Sequence, residues 1–229
     1  MSSLMFQLPE KGRRVTFVGK GGSTKTHTLA HVRGHWARMN YPTGAIDSDQ
    51  PGEDEDGSLY TWDQMCGGMV KDRPVKAQYS ALHLPGTIVE ETPPGGLLGI
   101  DTGAWSNTPG GTHHSALAMS DLAVLCLQPA EGELHRSASV WAALKYLEDT
   151  TGRRPELVVL FTRTHHSAKA NDEARRTLEK RGITVLESSV PNQQGEDGYS
   201  RAFGKPLLLA DDDPMHRVAV EILTKVAIQ

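Results

Sequence analysis

The chain has little that would tie it to a membrane, an oxidising compartment or a metal cluster. Its 229 residues include only two cysteines, Cys66 in Met65-Cys66-Gly67-Gly68 and Cys126 inside an apolar run, and neither belongs to a Cys-x-x-Cys. A disulfide scaffold and a thiolate metal site both lack their ligands, which leaves two reduced, structural thiols. No apolar run approaches the roughly 20 residues a membrane span needs. The start, Met-Ser-Ser-Leu-Met-Phe-Gln-Leu-Pro-Glu, has neither a basic opening nor a long apolar core, so a signal peptide is not expected and a cytoplasmic location is. Positive charge is in short supply as well. Lys and Arg number 24 against 28 Asp and Glu, a net charge of −4, so attraction to a polyanion would have to come from a local patch.

What the chain does have is an alternation of short aliphatic or β-branched runs with amphipathic stretches. It predicts strands at 14–19, 43–47, 97–101, 122–128, 156–162 and 183–187 and helices at 25–39, 131–150, 168–181 and 214–227. Gly182, just past Arg181, is a helix stop. Such alternation predicts an α/β fold with a mostly parallel, twisted sheet covered by helices on both faces. With no internal repeat and no long linker, residues 1–229 are expected to form one domain. The stretch 50–96 is the least regular, with one helix expected near 58–70 and surface excursions elsewhere.

The first strand runs straight into Gly19-Lys20-Gly21-Gly22-Ser23-Thr24-Lys25-Thr26 and then His27, where a helix begins. This is a phosphate-binding loop: amides of a Gly-rich turn and of the helix N-terminus cradle phosphates, a Lys reaches the β and γ oxygens, and a hydroxyl takes Mg²⁺. Lys25 and Thr26 fill the last two places, and the loop from Gly19 to His27 is the expected seat of ATP. Lys20, five residues before Lys25, is a second cation that the plain pattern does not require.

Lys-Gly-Gly-x-x-Lys-Thr resembles the deviant Walker A box of the ParA/MinD ATPases, in which the first lysine reaches across a dimer interface to the partner's nucleotide. Three further strings fall in that family's order. Ala45-Ile46-Asp47-Ser48-Asp49-Gln50-Pro51-Gly52 resembles its second motif, Leu97-Leu98-Gly99-Ile100-Asp101-Thr102 its Walker B strand, and Asp121 to Pro129 the strand that ends in a proline above the sheet. The resemblance implies Lys20, Lys25 and Asp49 as catalytic residues, Lys20 acting in trans and Asp49 orienting the attacking water. It implies Thr26, Asp47 and Asp101 around the Mg²⁺. The chain departs from the pattern at His27, where a small hydroxyl is usual, and at Gln50-Pro51, where the order is inverted. It departs also at Thr24, which stands for a glycine; its backbone is expected to be helical or extended, where a side chain costs nothing. Thr162, in Phe161-Thr162-Arg163, stands where the family has an Asn that touches adenine.

The resemblance further implies an ATP-dependent homodimer that binds double-stranded DNA without sequence preference and is stimulated by a ParB-like partner. Only residues 1–14 precede the first strand, as in the short ParA class, and a nucleoid-associated ATP state follows from that reading. Arg201, Lys205 and Arg217 are candidate DNA contacts. Arg175, Arg176, Lys180 and Arg181 read instead as a solvated helix face of mixed charge. The C-terminal helix has apolar positions 215, 218, 219, 222, 223 and 226 but only Arg217 and Lys225 as cations, which predicts packing on the sheet rather than on a membrane. His27, His31 and His35 share one side of the first helix, yet the outer pair stands about 12 Å apart at 1.5 Å per residue, too far for one metal. Glu53 to Asp56 reads as a solvated acidic loop. Other readings stay open: a MinD-like ATPase that positions a protein assembly, a metabolic ATP-dependent ligase resembling dethiobiotin synthetase, or a noncatalytic nucleotide-binding dimer.

Overall fold

A computed structural model describes residues 6–51, 57–105, 110–165, 169–192 and 201–228. The acidic run Glu53 to Asp56, His166 and Gly52 lie outside the described residues. In chain order the elements are β1 (Arg13–Val18), α1 (Lys25–Arg38), β2 (Thr43–Asp47), α2 (Ser58–Met65), β3 (Lys76–Ala77), α3 (Leu84–Glu91), β4 (Leu97–Asp101), α4 (Thr112–Met119), β5 (Leu122–Leu127), α5 (Glu131–Arg136), α6 (Ala138–Thr151), β6 (Glu156–Thr164), α7 (Lys169–Glu179), β7 (Thr184–Pro191) and α8 (Pro214–Val226). The strands make one sheet in the order β3-β2-β4-β1-β5-β6-β7, and every pairing is parallel.

The strands are apolar on both faces because both faces are covered. In β5, Leu122, Val124 and Cys126 join the core under α1 and α8, while Ala123, Leu125 and Leu127 join the core under α4, α6 and α7, the period of two that a pleated strand imposes. A third cluster, Ile46, Leu84, Ile88, Leu98, Ile100 and Ala116, lies under α3 and α4. The stripe Met215, Val218, Ala219, Ile222, Leu223 and Val226 of α8 is buried in the first of these cores, as its spacing predicts. Trp36 of α1 donates its indole N–H to the carbonyl of Ala219, 3.0 Å away, so the two helices are pinned as well as packed.

Several expectations are corrected. The helix predicted at 131–150 is two helices, interrupted at Ser137, whose hydroxyl donates to the Leu134 carbonyl at 2.6 Å. β6 continues beyond 162, and β3, α3 and α4 were not anticipated. Gly182 does take a left-handed conformation, φ 74°, three residues after the last residue of α7. Cys66 and Cys126 are both free. Among the described residues no helix is long and apolar enough to cross a membrane.

Candidate functional site

In a parallel sheet of this kind ligands bind beyond the carboxyl ends of the strands, and β1, β2, β4 and β5 end together around the loop from Gly19 to His27. Val15 to Gly19 are buried, so the loop rises from the centre of the sheet. Gly19 adopts φ 149°, and a Cβ there would stand 2.6 Å from the Cys126 carbonyl oxygen and 2.7 Å from the Ser23 Oγ; no larger residue fits. Lys20, Gly21 and Gly22 are exposed on the rim. The Ser23 amide donates to the Lys20 carbonyl at 3.2 Å, and α1 begins at Lys25 with its N-terminus facing the rim.

Thr24 contradicts the sequence expectation. Its backbone is left-handed, φ 65° and ψ 21°, the conformation for which a glycine is usually needed, and a β-branched residue there stores about 1–2 kcal/mol of strain. Its hydroxyl donates to the carbonyl of Ser23 at 2.6 Å. The loop closure overrides local preference at this residue.

The two lysines are treated in opposite ways. Lys25 is 93% buried and folds back into the loop, its Nζ donating to the Lys20 carbonyl at 3.1 Å. Lys20 points outward, with 43% of its side chain exposed, and is held by an ion pair with Glu133 of α5. A cavity of about 270 Å³ opens beside this pair, lined by Gly19, Trp105, Glu133, Ser137 and Val140 among others.

Below the loop, the Thr26 hydroxyl donates to Asp101 Oδ2 at 2.6 Å and lies 3.2 Å from the Ser58 hydroxyl. Asp101 is fully buried at the end of β4, and its other oxygen, Oδ1, has no partner. Burial, and after it the neighbouring charge of Asp47, push its pKa up to about 8. Asp47 faces it across the β2–β4 register. That carboxylate accepts the amides of Tyr60 (2.8 Å) and Asp49 (3.0 Å), so it ties β2 to the start of α2; burial raises its pKa to about 6. Asp49 is half-buried, and its Oδ1 lies 2.3 Å from where a Cβ on Gly103 would stand. Gly103 therefore has to be glycine for the Asp49 carboxylate to close on the end of β4. Ser48 binds the same strand end, donating both its amide (2.9 Å) and its hydroxyl (2.7 Å) to the Asp101 carbonyl.

This donor set suits a hard divalent cation that is shared with phosphate. An orphaned buried carboxylate oxygen at Asp101 next to the Thr26 hydroxyl is the oxygen chemistry Mg²⁺ takes, and Mg²⁺ characteristically uses one or two carboxylates with phosphate oxygens and water completing its shell. Three crowded carboxylates also resist ionisation together, which a cation relieves. Among the described residues no group of three or more His, Cys, Asp and Glu side chains has the geometry of an all-protein metal site. The histidines of α1 accordingly do other things. The rings of His27 and His31 pack on Trp62 at 5.1 and 5.8 Å, and His35 meets Asp213 at 3.4 Å and the His216 ring at 5.1 Å. Burial lowers the His27 pKa to about 4.

The remaining candidates lie around this centre. Arg201, Lys205 and Arg217 are exposed; Trp62 donates its indole N–H to the Lys205 carbonyl at 2.8 Å and lies 5.7 Å from the Phe203 ring, so the segment carrying two of these cations rests on α2. Arg175 is no free cation, since it donates to the Val185 and Leu186 carbonyls of β7. Thr162 is fully buried and donates to the Ser23 carbonyl at 3.2 Å, bracing the loop from β6 rather than presenting itself to a base. Ser58, Gly103, Glu133 and Trp105, whose amide donates to the Gly19 carbonyl at 2.9 Å, were not singled out from sequence. Only Gly103, two residues after an aspartate that ends a strand, carried a local signal.

No protein-family model matches the chain, and no curated protein matches its sequence. Solved structures do. The cell division ATPase MinD of Pyrococcus furiosus superposes with a TM-score of 0.67 at 16% identity, over 93% of this chain and 99% of that one. A McdA variant of Cyanothece in complex with ATP gives 0.66 at 12% identity, over 96% and 99%. A ParA family ATPase of Chlorobium tepidum gives 0.65 at 16% identity, over 93% and 98%. The phosphate loop, the carboxylates beneath it and the all-parallel sheet thus sit in a chain that has the fold of the ParA/MinD ATPases.

Proposed function

We propose that this chain is an ATP-dependent switch ATPase for DNA segregation, dimeric with ATP bound, which holds double-stranded DNA without sequence preference and is stimulated by a ParB-like partner. The observation that carries the reading is the division of labour between the two loop lysines. Lys25 is buried in the loop, where it would meet the β and γ phosphates of its own nucleotide; Lys20 stands on the rim, paired with Glu133, where it would be within reach of a facing molecule. A lysine in that position neutralises charge that develops on a partner's nucleotide, which makes turnover depend on the dimer. Bound Mg²⁺ supplies neutralisation of the β and γ phosphates. Thr26 and Asp101 would hold it, with Asp47 supporting them by tying β2 to α2, and Asp49 at the lip would orient the attacking water. Monomer and dimer are then two states that nucleotide biases.

Support for the cargo is electrostatic and local. Arg201, Lys205 and Arg217 are exposed, on a chain whose net charge is negative, and 201–205 rests on Trp62, whose ring also meets His27 at the start of α1. Nucleotide and DNA would therefore act on neighbouring parts of one packing unit, and a nucleoid-associated ATP state follows. The test is a mobility shift of arbitrary duplex DNA with ATP, ADP or no nucleotide, beside light-scattering mass in the same buffers. The expected result is an ATP-dependent dimer whose DNA affinity falls steeply as salt rises. A dimer indifferent to DNA would transfer the reading to a protein cargo, and a monomer indifferent to nucleotide would refute it.

A further inference from the structure

β6 contains a residue that its strand does not accommodate. Thr162 pairs with Val190 and Thr164 with Pro191, so Arg163 is the extra residue of a bulge against β7. It takes φ 54°, the left-handed conformation that such bulges ordinarily give to glycine. The strain, of order 1–2 kcal/mol for a residue with a Cβ, is imposed from both sides. The Thr162 hydroxyl is tied to the Ser23 carbonyl, and the Thr164 carbonyl accepts the Asn192 amide at 2.9 Å. Bulges of this kind re-aim a side chain, and here the result is specific. The exposed Arg163 guanidinium comes to the phosphate loop, its Nη2 4.0 Å from where a Cβ on Gly22 would stand. No carboxylate pairs with it among the described residues.

A cation held without a counter-ion against a loop of amides and glycine is a site waiting for an anion. We propose that Arg163 is a phosphate-binding residue of the nucleotide site, a second cation of this chain beside Lys25, and that it grips the polyphosphate of a nucleoside di- or triphosphate from the β6 side. The assignment rests on the nucleotide-site reading above and adds to it. Thr162, at the position expected to touch the base, is occupied with bracing Ser23; its neighbour supplies the ligand contact instead. Arg163 is close enough for its charge to be felt at His27, at the start of α1, so the cation also acts on the end of the loop where the helix amides point.

The test uses Arg163→Gly, because glycine removes the cation and relieves the backbone together. The variant is expected to melt at or above the wild-type temperature while its dissociation constant for MgATP rises about tenfold, or about 1.4 kcal/mol. The salt dependence of binding should become shallower, and Arg163→Lys should recover part of the loss. Unchanged affinity in Arg163→Gly overturns the proposal, as does a tenfold loss with an unchanged salt slope, which marks stacking on the base. Lys25→Ala, measured alongside, separates the two levels. If it too binds normally, the nucleotide-site reading fails; if it loses binding while Arg163→Gly does not, only the role of Arg163 fails.

Discussion

The Lys20–Glu133 ion pair sets an energetic condition on the switch. For Lys20 to reach a partner's nucleotide, it must leave Glu133. The pair is partly screened, with 43% of the lysine side chain and 12% of the glutamate side chain exposed, which places its worth at about 1 kcal/mol, the upper part of the range for surface pairs. A dimer of the proposed kind would break two such pairs, so the intramolecular bonds would hold dimerisation back by about 2 kcal/mol, close to 30-fold in the dimer dissociation constant. Glu133→Gln keeps the shape and removes the charge. It should therefore tighten the dimer by about that factor when measured by sedimentation or light scattering across a concentration series with a slowly hydrolysed ATP analogue. Lys20→Ala combined with Glu133→Gln should show no such gain, because nothing is left to release. A Glu133→Gln protein whose dimer constant equals or exceeds that of the wild type would refute the reasoning, whatever the ATPase rate.

Three further outcomes follow from the same geometry. His27 has a folded pKa of about 4 against 6.5 unfolded, so the unfolded state binds the extra proton; stability is full above pH 6.5 and falls as pH drops towards 4, by about 3 kcal/mol at most. His27→Phe, which keeps the contact with Trp62, should lose that acid sensitivity in urea titrations at pH 7.5 and 4.5, and parallel pH profiles for the two proteins would count against it. Asp101 titrates the other way: its folded pKa lies near 8 against an ordinary 3.8, so its burial removes stability as pH rises between those values. Asp101→Asn should raise the melting temperature at pH 7.5 without nucleotide while weakening Mg²⁺-dependent ATP binding, and a lowered melting temperature would contradict the assigned burial cost. At Thr24 the left-handed backbone reverses the usual helix order, so Thr24→Gly should be more stable than Thr24→Ala by about 1 kcal/mol; the opposite ranking in denaturant would show that the loop is not strained there.

The strands were legible because a parallel sheet covered on both sides needs apolar runs, and β2, β4 and β5 are buried along their whole length while β1 is buried from Val15 on. The short elements were not. β3 is two residues at the sheet edge, and α3 and α4 are eight residues each, too brief for a helical period to stand out from the surrounding Gly and Pro. The break at Ser137 left no mark, since 131–150 reads as one amphipathic stretch and the interruption is made by a local side-chain bond. Thr24 was misread for a different reason. Its conformation is set by closure of the loop between β1 and α1, which no preference of Thr reports.

The site divides along the same line between what is written locally and what the fold assembles. Lys20, Lys25, Thr26, Asp47, Asp49 and Asp101 lie in strings whose chemistry can be named without coordinates. The bonds that give them distinct tasks join residues far apart in the chain: Thr26 to Asp101, Lys20 to Glu133, Thr162 to Ser23. Trp62 is the clearest case. Nothing around it in sequence suggests a role, yet its ring meets His27 and His31 on the nucleotide helix, while its N–H holds the carbonyl of Lys205. Because interiors are close-packed and shift as units rather than deform smoothly, a change at the start of α1 has to be absorbed either by Trp62 or by the segment it holds. That segment carries Arg201 and Lys205, two of the three exposed cations considered for DNA. The proposed nucleotide-dependent grip on DNA would therefore need no signal across the sheet, only the displacement of one indole between two neighbours.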